Sequence, residues 1–231
     1  MEASDQPGDA TAPSTRAGAA GPRDPAQGAD GSSPVVKIAD PGPLGLAAFA
    51  LTTFMLSCFN AKLIGVGGEP IVFGLALAYG GLAQLLAGMW EFRTGNTFGA
   101  VAFTSFGAFW LSFWAFVQFY EKDVPKADAG HAVGLYLIAW GIFTTYMLIA
   151  ALRTTGAIAL VFALLAATFF LLGIGNSGGH ANIVKLGGYV GLATAAAAWY
   201  ASFAAVTNST WGRTVLPVVP LNRPQPSRGS S

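Results

Sequence analysis

Six apolar stretches, each close to the length that crosses a bilayer and none with a full charge in its interior, constrain this chain more than any other feature. A spanning helix needs about 20 mostly apolar residues, because hydrocarbon offers no partners to backbone N–H and C=O groups and a helix satisfies them internally. The stretches are Leu44 to Ile64, Ile71 to Trp90, Thr97 to Tyr120, Val133 to Leu152, Ala157 to Ile174 and Leu186 to Thr207. Turn-forming residues punctuate them: Pro41 and Pro43 before the first, Gly67-Gly68-Glu69-Pro70 before the second, and Asp123 to Gly130 before the fourth. With 53% hydrophobic and 10% charged residues in 231, the predicted class is an all-α integral membrane protein with six transmembrane helices.

The flanks read differently. Met1 to Pro34 are rich in Ala, Gly, Ser, Asp and Pro and lack the apolar surface that would offset ordering entropy. The predicted division is therefore a disordered tail over residues 1–39, a six-helix domain over 40–216 and a flexible tail over 217–231, which holds four prolines. No basic-then-apolar leader pattern occurs near the start, so the first span is expected to direct insertion. An even number of spans places both termini on one side, with Lys37, Arg93, Arg153, Arg213, Arg223 and Arg228 against Lys62, Lys122, Lys126 and Lys185 opposite. The positive-inside rule then predicts cytoplasmic termini in a multi-pass protein of the plasma membrane.

Composition also argues against several chemistries. A net charge of +1 without a basic cluster gives no reason to expect a nucleic-acid partner. Cys58 is the only cysteine and lies in an apolar run, which excludes an intrachain disulfide and reads as a small core residue. His131 and His180 fall at span boundaries, and the acids Glu69, Glu91, Glu121, Asp123 and Asp128 fall in loops or at helix ends, where solvated charge is expected. No nucleophile–base pair, carboxylate pair or metal-ligand set emerges, so neither an enzyme, a metal site nor a cofactor is predicted.

The hairpin from Tyr79 to Ser112 is the most informative segment, two apolar arms joined by the polar hinge Glu91 to Asn96 and lined with glycines. Small residues let helix backbones approach closely where no water is there to be expelled. Gly95 with Gly99, and Gly187 with Gly191, have the GxxxG spacing, while Gly81 and Gly88 share a face of the second helix. The spans carry only neutral polar groups, among them Thr52, Asn60, Gln84 and Thr104, interleaved with Phe49, Phe103, Phe106, Phe109 and Phe143. Buried Asn and Gln side chains need partners, so Asn60 and Gln84 are expected either to bond between helices or to touch a permeant solute. Serine and threonine are expected to bond back to their own helices. A path with neutral donors and an aromatic waist suits a small solute with one polar and one apolar end, such as a monocarboxylic acid; glycerol, urea or ammonia fit the residues almost as well.

Five ordered motifs give the chain a family resemblance. Asp40-Pro41-Gly42-Pro43-Leu44-Gly45-Leu46 is similar to the NPAPLGL signature of the acetate uptake transporter family (AceTr, the SatP/YaaH-like succinate–acetate transporters). YGGLAQLLAG, GNTFG and AFTSFGAFWLS resemble that family's second signature, and Ile174-Gly175-Asn176 and residues 212–217 resemble its later landmarks. The resemblance implies six spans, a hexamer, and in each protomer a path for acetate, sometimes succinate, usually proton-coupled. It also implies an apolar constriction, which matched by motif is Phe49, Phe106 and Leu165, with Asn176 a further polar candidate on the path. The signature Asn is Asp40 here, its Ala is Gly42, and the constriction Tyr is Phe106. Asp40 is expected to cap the first helix at the entrance. Two other readings accompany transport of acetate: a membrane sensor or scaffold that keeps the transporter fold, and a channel for a neutral small solute.

Overall fold

The computed structural model describes residues 38–222. The expectations for Met1 to Pro34, for Lys37, and for residues 223–231 with Arg223 and Arg228 lie outside the described residues. Six helices are long and apolar enough to cross a membrane: α1 Gly42–Asn60, α2 Ile71–Thr94, α3 Thr97–Asp123, α4 Lys126–Ala151, α5 Gly156–Ser177 and α6 Ala181–Trp211. All six predicted spans are present, and the described residues contain no β-strand beyond an isolated bridge between Thr155 and Pro220.

The boundaries move where local chemistry extends a helix past its apolar run. α4 starts at Lys126 rather than Val133, because Pro125, with ψ 137, occupies the N-cap and Asp128 sits in the first turn where the helix dipole favours an acid. α6 has 31 residues, a length of about 46 Å, so it outruns the hydrocarbon. α2 is not a uniform α-helix: Ala78–Ala83 form a π-helical segment, and α3 ends through another at Phe116–Tyr120.

The hinge between α2 and α3 is shorter than expected. α2 continues through Thr94, Gly95 takes the left-handed conformation at φ 79, and Asn96 caps α3 by accepting from the Gly99 amide at 3.1 Å. Gly95 therefore serves the turn and not a packing face, and its pairing with Gly99 as a GxxxG contact does not occur. The two arms meet instead at reciprocal glycines. A methyl group on Gly88 would collide with the backbone of Thr104, and one on Gly107 would come within 2.7 Å of the Leu85 amide nitrogen.

α1 packs along α6, α5 lies against both α4 and α6, and α2 pairs with α3 and crosses α1. Their shared core includes Phe49, Phe106, Phe109, Trp110, Phe162, Leu165 and Phe169. Beyond α6 the chain folds back: Asn208 Oδ1 accepts from the amides of Val215 and Leu216, and its Nδ2 donates to the Leu216 carbonyl. Residues 217–222, the start of the tail expected to be flexible, lie against the α4–α5 turn. Gly156 donates to Val219 at 2.7 Å, and Leu221 donates to Thr154 at 2.9 Å.

Candidate functional site

A cavity of about 370 Å³ opens between α1, α3, α4 and α5 on the face opposite the described chain ends. Each helix contributes its residues nearest that face: Leu56 and Asn60 from α1, Phe109, Phe113 and Phe116 from α3, Tyr136 and Leu137 from α4, and Leu172 and Asn176 from α5. Glu69, in the loop before α2, completes the wall. It is half-buried, and that burial pushes its carboxyl above the ordinary range, with the nearby charge of Glu121 acting in the same direction.

Two polar groups in the wall, Tyr136 and Asn176, are tied down. Tyr136 donates to the Phe109 carbonyl at 3.0 Å and shares a 2.7 Å hydrogen bond with Ser112. Asn176 donates through Nδ2 to the Leu172 carbonyl at 2.7 Å, one turn back on its own helix. These bonds hold the rotamers of two side chains that line the cavity.

Phe109 links this vestibule to a deeper aromatic layer. Its ring meets Phe169 edge-on at 5.3 Å, and Phe169 stacks on Phe106 at 6.3 Å with an interplanar angle of 11°. Phe106 lies 5.9 Å from Phe49, ring centre to ring centre. Leu165, one turn from Phe169 on α5, belongs to the same buried cluster. Phe49, Phe106 and Leu165 are 4%, 3% and 3% exposed, so none is turned outward to lipid. Because α1, α3 and α5 run in the same direction, and on each of them the vestibule residues follow Phe49, Phe106 or Leu165 in the chain, these three residues lie about one to two turns inward of the vestibule floor.

The other predicted polar residues divide into two sets. Asn60 and Asn176 line the vestibule, whereas Thr52, Gln84 and Thr104 do not. Thr52 donates to the Ala48 carbonyl at 2.9 Å and packs on Gly80 of the π-helical segment. Gln84, the residue immediately after that segment, is wholly buried, and neither atom of its amide has a hydrogen-bond partner among the described residues. Thr104 Oγ1, against Gly88 one turn along α2, is also buried and unpaired. An unpaired buried polar group costs about 1–3 kcal/mol.

The opposite mouth overturns one expectation. Glu91 is 2% exposed, not solvated. Its Oε2 accepts from Asn96 Nδ2 at 3.0 Å and from Thr94 Oγ1 at 3.1 Å, which joins the end of α2 to the start of α3. Oε1 is directed elsewhere: a methyl group on Gly42 would lie 3.3 Å from it and 3.0 Å from Asp40 Oδ1. Asp40 Oδ1 in turn accepts from the Gly42 amide at 2.8 Å, satisfying a free donor in the first turn of α1. The two departures from the signature therefore meet at one place, with Gly42 leaving room for two carboxylates. Only its position after Trp90 in an otherwise apolar arm hinted that Glu91 is buried.

A family model described as the GPR1/FUN34/yaaH family matches residues 27–223. The chain belongs to that family. It is 40% identical to the succinate-acetate/proton symporter SatP of Escherichia coli K12, over 79% of this chain and 96% of that one. It is 44% identical to ammonia transport outward protein 2 of Saccharomyces cerevisiae, over 75% of this chain and 64% of that one. The solved structure of the bacterial acetate channel SatP superposes with a TM-score of 0.74 at 39% identity, covering 79% of this chain and 99% of that chain. The chain spans 63% to 66% of the length of the fungal relatives that share 44% of its residues.

Proposed function

We propose that this GPR1/FUN34/yaaH family protein carries acetate and related short carboxylates, succinate among them, across the plasma membrane. The observation that carries this reading is the sequence of layers along one axis. A vestibule with two amides and a phenol leads to an apolar ring of Phe49, Phe106 and Leu165. The solute's methyl group suits the ring, and its polar end finds Asn60 and Asn176 above. The unpaired Gln84 and Thr104 lie in the same α1–α3 part of the molecule. Crossing an apolar ring is far cheaper for the undissociated acid than for the anion, so flux coupled to a proton follows from the lining itself. Each protomer has its own path in this reading. A hexamer with cytoplasmic termini, Asp40 beside the inner entrance and no enzymatic step completes it.

Purified protein reconstituted into vesicles provides the test. Labelled acetate is expected to enter faster than into protein-free vesicles, and unlabelled succinate to compete; equal rates in both vesicle types would refute the proposal. The yeast relative's name favours ammonia as a second solute class. Ammonium competing with labelled acetate more strongly than propionate does would favour that reading.

A further inference from the structure

Among the described residues, Glu69 is the only acidic or basic charge in the vestibule wall. The remaining surface is aliphatic, aromatic or neutral polar, with no lysine or arginine to hold an anion. The lysines of that face, Lys62, Lys122, Lys126 and Lys185, are exposed, and His131 stands one residue outside the wall. The charge that bears on Glu69 is that of Glu121, which disfavours a second negative charge beside it. Tyr136, the other ionisable group lining the cavity, has its hydroxyl engaged with Phe109 and Ser112. Among the described residues, Glu91 is the only fully buried acidic or basic side chain, and it lies at the opposite mouth, beyond the aromatic layer. A carboxylate that must cross this layer as a neutral acid therefore has one protein group from which to take its proton beforehand.

We propose that Glu69 is the proton donor of the vestibule, handing its carboxyl proton to an incoming carboxylate before the solute reaches the aromatic ring. The O–H bond of Glu69 breaks as an O–H bond forms on the solute. The acid moves inward uncharged, and the ionised Glu69 takes a proton from water at its own face. Partial burial serves this role because it keeps the carboxyl protonated at milder pH than a solvated glutamate. The inference rests on the transport of carboxylates proposed above and adds the residue that sets its pH dependence.

The test compares full-length wild type with Glu69→Gln and Glu69→Asp in vesicles, using labelled acetate and its permanently neutral analogue acetamide across a pH series. In Glu69→Gln only bulk undissociated acid remains available, so the acetate-to-acetamide flux ratio is expected to fall about tenfold per pH unit above the acid's own pKa. The wild type and Glu69→Asp are expected to fall less steeply. Superimposable profiles in wild type and Glu69→Gln would overturn the assignment. If Glu69→Gln passes neither solute, infrared titration of the wild type decides. A protonated-carboxyl band that acetate displaces and that Glu69→Asp retains supports the donor role, and the lack of any such band overturns it. A wild type that passes acetamide but never acetate would instead remove the carboxylate reading on which the inference depends.

Discussion

Phe106 is enclosed by rings. Phe143 meets it edge-on at 5.4 Å, Phe162 and Trp140 lie at 6.0 Å, and Phe169 stacks on it at 6.3 Å. Substituting Phe106→Tyr adds a hydroxyl to a dry ring, and the expected result is slower acetate flux relative to a more polar acid such as lactate, read by competition in vesicles. Glu91 carries a different kind of weight, since two side-chain hydrogen bonds end on one of its oxygens. Glu91→Ala is expected to lower stability by about 3 kcal/mol, measured by unfolding in detergent, and Glu91→Gln by roughly half as much. Asp40→Asn removes the like charge that faces Glu91 and restores the signature residue, so it is expected to raise the unfolding temperature.

At the scale of elements, the α2–α3 hairpin depends on contact and not on propensity. Gly88→Ala places a methyl group against the backbone of Thr104, and a loss on the order of 1–3 kcal/mol is expected. Gly74, on the same helix with open space around it, is the control: Gly74→Ala is expected to be neutral or to stabilise by about 0.5–1 kcal/mol. The loop bearing Glu69 gives a pH prediction of fixed sign. A carboxyl raised in the folded state contributes stability that is complete below its unfolded pKa and is lost as pH rises through the folded value. The melting temperature should therefore decline more over that interval in wild type than in Glu69→Gln. Helix number and apolar faces were legible beforehand because bilayer thickness imposes a length and a polarity that composition alone reveals. The burial of Glu91 was not, because it depends on Asn96 and Thr94 folding back across a turn whose tightness comes from the left-handed Gly95. Glu69 was equally hidden: the vestibule exists only once four helices converge, and a loop acid looks alike whether it faces water or a cavity.

For the molecule as a whole, the layers are asymmetric. A vestibule with one acid lies at one face, an aromatic layer lies within, and the carboxylates of Asp40 and Glu91 lie beside Gly42 at the other face. The clasp at the end of the chain has a practical consequence for handling the protein. The first turn of α5 has free amides, and Val218 and Val219 occupy two of them through their carbonyls. Removing residues after Leu216 would leave those donors bare and fray the start of a helix that supplies Leu165 to the ring. Affinity handles and fluorescent fusions should accordingly be grafted past Asn222, where the clip stays shut.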